Sequence, residues 1–186
     1  NVLLDIGDIK DFQAFKFHDT FLGPNYSSNI DTFIDSIKND FDVIVMKNPA
    51  KEVAKLLVEN KIIGFLTGNM EWGPRALGNR SILLNTFDKT VNDTLNKRLN
   101  RTEFMPFAPA VLDFMAQTYF PEYKNDVPAG DYMTITYDVD PKYHEQLQAV
   151  VHVDGTARVQ TVSKGTNLKY YELLEHFEKL SNVTIY

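Results

Sequence analysis

The stretch that most constrains this chain is Gly68-Asn69-Met70-Glu71-Trp72-Gly73-Pro74-Arg75-Ala76-Leu77-Gly78-Asn79-Arg80-Ser81. The apolar run Ile62, Ile63, Gly64, Phe65, Leu66 leads into it, and Ile82, Leu83, Leu84 leave it. Short apolar runs bounding a glycine- and proline-punctuated loop predict two buried strands with a site between them. Glycine lets backbone approach a ligand closely or take positive φ, and Pro74 fixes the chain just before Arg75. A loop held this rigidly presents its arginines with little ordering entropy left to lose on binding. The competing reading is a tight turn with solvated arginines and Trp72 as a core anchor.

Arginine usage argues for a site. The chain has five arginines among 19 basic residues, and Arg75, Arg80, Arg98 and Arg101 fall in one short stretch. The fifth, Arg158, sits in a second glycine-containing motif, and elsewhere positive charge is lysine. The planar guanidinium fork recognises carboxylate or phosphate bidentately, whereas lysine acts as a compact point charge. Arginine confined to two motifs points to a planar or phosphate-like anion. The net charge of −6 argues against a general nucleic-acid surface and for a small anionic ligand in a local basic pocket. With no cysteine, disulfides, thiolate zinc sites and thiol nucleophiles are excluded. No stretch reads as a membrane span or a signal peptide, which predicts a soluble, cytoplasmic chain.

Along the chain, residues 1–30 read as an aromatic-rich arm or linker and 31–186 as one domain. Ile30, Phe33, Ile34 and Ile37 predict a helix over 29–39, and 43–46 a short buried strand. Asn48 and Pro49 open a helix over 49–60 with Val53, Leu56 and Leu57 inward. Residues 88–99 read as a helix with Val91, Leu95 and Leu99 on one stripe. Lys97 and Arg98 at its end are candidate ligand contacts or charges that suit the helix dipole. Pro106-Phe107-Ala108-Pro109 reads as a stiff cleft wall, 112–120 as a helix, and 132–137 as a half-buried strand. A short helix fits 141–148, and an amphipathic helix 168–180. The second motif, His152 to Val162, reads as strands at 150–151 and 157–162 joined through Asp154-Gly155. Alternation puts Ala157, Val159 and Thr161 on one face and Arg158, Gln160 and Val162 on the other. His152, Asp154 and Thr156 crowd its turn. The β-branched end at 183–186 reads as a strand cut short, with an open edge suited to a homodimer.

At Glu71 to Ser81 the sequence resembles carbamoyltransferases of the NodU/CmcH type. Pro106 to Pro109 and His152 to Val162 match the same family in the same order. The resemblance runs over roughly residues 20–186 and is to the C-terminal, YrdC-like part of such enzymes. It implies an α/β fold with a twisted mixed β-sheet flanked by helices, truncated here at its C-terminal end. It also implies a preceding actin-like domain as partner. The implied chemistry uses ATP, Mg2+ and carbamoyl phosphate: carbamoyl phosphate loses phosphate, and the carbamate attacks the α-phosphorus of ATP, giving carbamoyl-adenylate and pyrophosphate. The carbamoyl group then passes to a hydroxyl. Both reactants are anionic, so positioning and charge neutralisation carry the catalysis. Carried over residue by residue, Arg75, Arg101 and Arg158 are the expected catalytic cations. Met105 stands where the family commonly has arginine, and Arg101 is the cation nearby. Glu71, Gly73, Arg80, Ser81, Lys97, Arg98, His152, Asp154 and Thr156 are expected to bind substrate or nucleotide, with no protein metal site. Two other readings compete: a threonylcarbamoyl-adenylate synthase of tRNA modification, disfavoured by the acidic charge and the Glu71 to Ser81 motif, and a non-catalytic nucleotide-binding module.

Overall fold

A computed structural model of the chain describes residues 19–87, 90–100, 106–125 and 128–182. Helices and short strands alternate along it, so the expected mixed α/β class holds. A 3-10 turn at Ser27–Asn29 leads into α1 (Ile30–Ile37). Helix α2 (Pro49–Val58) starts as its sequence dictates: the Asn48 side chain accepts from the Lys51 N–H, and Pro49 occupies the first turn. Strands β1 (Ile63–Leu66) and β2 (Arg80–Leu83) pair antiparallel, with Ile63 opposite Leu83 and Leu66 opposite Arg80. Helix α3 (Thr90–Arg98) follows and buries Leu95. Then come β3 (Ala110–Leu112), a 3-10 turn and the short α4 (Ala116–Tyr119). Strands β4 (Tyr137–Asp138) and β5 (Thr156–Ala157) pair antiparallel, whereas β6 (Gln160–Val162) runs parallel to β3. Helix α5 (Leu168–Ser181) closes the described chain, capped by Asn167, with Asn182 left-handed at φ 58° beyond its end.

The β3–β6 pair separates two cores. Parallel strands are buried on both faces, and every residue of these two is buried. On one side Ala110, Leu112 and Val162 meet α2 and α5 through Val53, Leu57, Leu174 and Phe177. On the other, Val111, Ala157 and Val159 join Phe120, Tyr137 and Leu147. The alternation expected along 157–162 is therefore what divides the two cores. Phe177 is fully buried, so its truncation to alanine costs about 3–5 kcal/mol.

Four local expectations fail. Residues 43–46 form no strand and are not buried: Ile44 is 76% and Val45 91% exposed. Strand β1 is half-buried rather than buried, with Leu66 outward. Residues 132–137 shrink to β4, because a 3-10 turn takes Pro128–Tyr132 and Met133 adopts φ +54°. Val150 and Val151 make no strand; β5 pairs with β4 instead. Among the described residues the strands form three two-stranded sheets. Residues 1–18 of the expected arm and the expected strand at 183–186 lie outside the described residues.

Candidate functional site

The 68–81 loop is organised from inside by one carboxylate. Glu71 is buried, and its Oε1 accepts from the backbone N–H groups of Leu77, Asn79 and Arg80 at 2.8, 2.7 and 3.1 Å. The Asn79 side chain donates to Asn69 O at 2.7 Å, and Ser81 Oγ accepts from Gly78 N at 2.9 Å. Segment 20–25 lines the outer side: Trp72 N donates to Thr20 O, Gly23 N to Met70 O and Met70 N to Pro24 O. Trp72 itself is exposed, so it is not the core anchor of the competing reading. The loop is tied to α5 at two points. Asn167 donates to Asn79 Oδ1 at 2.9 Å. Gly78, at φ +104°, lies so close to the Tyr170 ring that a Cβ there would sit 2.3 Å from a ring carbon. Only glycine meets both conditions.

The two loop arginines part ways. Arg80 donates from Nη1 to Thr67 O and Asn79 O, both at 2.7 Å, and from Nη2 to Gly68 O at 3.2 Å. It lines a small cavity of about 140 Å³ with Tyr26, Ser27, Ile30, Leu66 and Lys169. Arg75 lines a different and larger cavity, about 500 Å³, together with Ser81 and Arg158. Pro106, Phe107 and Ala108 form part of its wall, as their composition led us to expect, and among the described residues no acidic one lines it. Arg75 and Arg158, 83 positions apart in sequence, thus share one concavity.

The rest of the second motif folds onto itself. His152 N donates to Thr156 O at 2.7 Å and Gly155 N to His152 O at 3.0 Å, with Gly155 at φ +85°. Asp154 Oδ1 accepts from the Thr156 N–H at 3.0 Å and the Thr156 hydroxyl at 2.8 Å. That hydroxyl proton being committed to Asp154, the 3.0 Å contact from His152 Nδ1 to Thr156 Oγ1 assigns the donated proton to Nδ1. The Thr156 backbone N–H, and then its hydroxyl, hold the Asp154 carboxyl below its ordinary range. None of His152, Asp154 and Thr156 lines the large cavity, nor do Lys97 and Arg98, which are exposed at the end of α3. Gly73 (φ +132°) shapes the loop beside Arg75 without lining the cavity. Arg101 and Met105 lie outside the described residues.

Two lining residues escaped the sequence reading as site candidates. Gln160 donates from Nε2 to Leu77 O at 2.8 Å, joining β6 to the loop, and lines the large cavity. Its place beside Arg158 on the same strand face was the available signal. Tyr170 lines the cavity from beneath Gly78, and nothing local in sequence marks it out from a core tyrosine.

Comparison with known proteins gives this architecture a family. The model of the carbamoyltransferase C-terminus matches residues 54–186. The chain belongs to that family. Over 139 residues it is 39% identical to nodulation protein NolNO of Sinorhizobium fredii, an alignment covering 73% of this chain and 20% of NolNO. Nodulation protein U of Rhizobium tropici is 38% identical over 134 residues, 72% of this chain and 23% of that protein. An uncharacterized protein of Methanocaldococcus jannaschii is 33% identical over 190 residues, 97% of this chain and 29% of its own length. The chain therefore spans between a fifth and under a third of these relatives. No helix among the described residues is long and apolar enough to cross a membrane.

Proposed function

We propose that this family member is the C-terminal, YrdC-like domain of an O-carbamoyltransferase, whose large cavity binds ATP and carbamoyl phosphate and forms carbamoyl-adenylate. The observation that carries the reading is the shared cavity of Arg75 and Arg158, in which no acidic residue is among the described lining. Two guanidinium groups on one concavity answer the main barrier of the reaction, the mutual repulsion of two anions. Ser81 adds a hydroxyl, and Phe107 with Ile82 and Leu84 adds apolar surface suited to a base. Water would first take the phosphoryl group from carbamoyl phosphate, releasing phosphate and carbamate. A carbamate oxygen would then form its bond to the α-phosphorus as the α–β phosphoanhydride bond breaks, the electron pair leaving with pyrophosphate. In that step the arginines hold phosphoryl oxygens in line and stabilise developing charge; no nucleophile of the protein is required.

Mg2+ would supply further charge neutralisation on the nucleotide phosphates. Among the described residues no cluster of three His, Asp or Glu suited to a metal occurs, and none of their carboxylates lines the cavity. The described residues therefore do not form a metal site of their own, and no step of the reading is routed through one.

The test is pyrophosphate release from ATP with carbamoyl phosphate, alongside titration calorimetry of each ligand. Arg75→Ala and Arg158→Ala should each weaken binding by about 2–4 kcal/mol, the worth of a charge-assisted hydrogen-bonded pair in a closed pocket. Release supported only by threonine and bicarbonate would replace the reading with a threonylcarbamoyl-adenylate synthase. ATP binding with no release under any condition would replace it with a binding module.

A further inference from the structure

Outside the large cavity, the chain carries an apolar face that nothing in the described structure covers. Helix α1 has its apolar residues spaced for burial, at 30, 33, 34 and 37, yet buries none of them. Phe33 is 58% exposed. The segment immediately after α1 continues the pattern, with Phe41 64% exposed and Val43, Ile44 and Val45 exposed as well. Leu22 and Tyr26 before the helix, and Leu66 of β1, are also exposed. Single exposed apolar residues are ordinary, but this many between residues 22 and 45, with Leu66 beside them, are the mark of a docking surface. Beside it lies the small cavity of Arg80 and Lys169, which Tyr26, Ile30 and Leu66 also line. Backbone carbonyls hold the Arg80 guanidinium without neutralising it. Among the described residues neither Arg80 nor Lys169 has an ion-pair partner, and no acidic residue lines the cavity.

The relatives bear on what meets such a face. The family's C-terminal model begins at residue 54, after α1 and residues 41–46. The M. jannaschii alignment covers 97% of the chain, so it takes in these segments, yet accounts for only 29% of that protein. They are thus shared with a longer protein while lying ahead of the part that the C-terminal model matches. We propose that α1, residues 41–46 and the Arg80–Lys169 cavity form the docking surface for the polypeptide that precedes this module in its longer relatives. That polypeptide presents an apolar patch with a carboxylate side chain seated against Arg80 and Lys169. The inference rests on family membership and not on carbamoyl-adenylate chemistry.

The chain contains no cysteine, so single cysteines report the face cleanly. Phe33→Cys and Val45→Cys would be placed both in the 186-residue chain and in the full reading frame that contains it, with Lys124→Cys as an exposed control. Maleimide labelling of the two face cysteines should be at least tenfold slower in the full-length protein, with the control unchanged. Adding Lys169→Glu should restore labelling there at least threefold. Equal labelling in both proteins overturns the proposal, as does a reading frame with no preceding domain. Protection already present in the 186-residue chain, with light scattering reporting a dimer, assigns the face to a second copy and overturns it too. None of these readouts requires activity, so the proposed reaction can fail while the docking surface stands.

Discussion

The loop at 68–81 and the turn at 152–156 both join glycine, a carboxylate and hydrogen-bonding side chains, but their carboxylates do different amounts of work. Glu71 is buried and holds three backbone N–H groups from three different residues. Asp154 is exposed and holds one residue, Thr156. In each motif the acid serves the backbone, and one arginine, Arg75 or Arg158, reaches the shared cavity. Similar motif composition thus hides a division of labour: most polar residues build the loop, and a minority face the shared cavity.

The comparison breaks most visibly at Glu71. Glu71→Ala would leave three backbone donors without their acceptor in a buried setting. Each unmet donor costs about 1–3 kcal/mol, and partial access of water reduces the sum, so about 3–5 kcal/mol of stability should be lost. Glu71→Gln keeps an acceptor oxygen and should lose under half of that. Urea denaturation followed by circular dichroism measures both. A Glu71→Ala chain as stable as wild type would mean that the loop is held from outside, by segment 20–25 and α5.

Gly78→Ala should come next, at roughly 2–4 kcal/mol, because it combines positive-φ strain with overpacking against Tyr170. Pairing it with Tyr170→Ala separates the two. The ring clash should vanish in the double variant, and the strain should persist, which a double-mutant cycle reads directly.

The paired arginines sharpen the comparison further. Arg80→Ala should cost about 1.5–3 kcal/mol of stability, since it removes charged donors from three carbonyls. Arg75→Ala should leave stability within about 0.5 kcal/mol and act on ligand affinity instead. Thermal melts and calorimetry on the same two proteins decide the split. The same pattern in both would mean that the loop arginines share a role.

Much of this was legible in the chain. Asn48-Pro49 placed the start of α2, the spacing of Tyr171, Leu174 and Phe177 placed α5, and alternation from Ala157 to Val162 placed Arg158 opposite the residues of one core. Each is a local rule in which geometry follows from neighbours in sequence. Strand pairing is not local. Residues 43–46, 132–136 and 150–151 have strand composition but found no edge to join, and β-propensity describes fit to a partner more than an intrinsic preference. The site was legible to the same degree. Sequence showed which residues crowd each motif, but not that Arg80 turns to backbone carbonyls, that Glu71 closes the loop, or that His152, Asp154 and Thr156 satisfy one another. Those outcomes depend on which buried polar group meets which donor, and most such groups find a partner in a folded chain.

The smallest expected effect concerns two aspartates, Asp154 within the second motif and Asp131 bonded to Thr161 near its far end, and it differs in sign with pH. Asp131 sits behind β6, accepting from the Thr161 hydroxyl, with Tyr123 also donating to Thr161 at 3.1 Å. Burial raises its carboxyl above the ordinary range, although the Thr161 and Tyr123 hydroxyls pull the other way. A group raised on folding contributes stability that is complete below its unfolded value and is lost as pH rises through its folded value. Asp131→Asn keeps the acceptor oxygen and removes the charge. It should therefore match or exceed wild-type stability at neutral pH, and that advantage should shrink as the pH falls through the carboxylate range and wild-type Asp131 becomes protonated. Because the group is only half-buried, screening holds the effect under about 1 kcal/mol. Asp154 is lowered on folding, so its contribution is present above the unfolded value and fades as pH falls through the folded one. Asp154→Asn should accordingly be the less stable variant at neutral pH, with the gap closing in acid. Melting curves of the two variants against wild type between neutral and acidic pH should slope in opposite directions. Parallel slopes would mean that Asp131 is ionised without penalty, and that water reaches it behind β6.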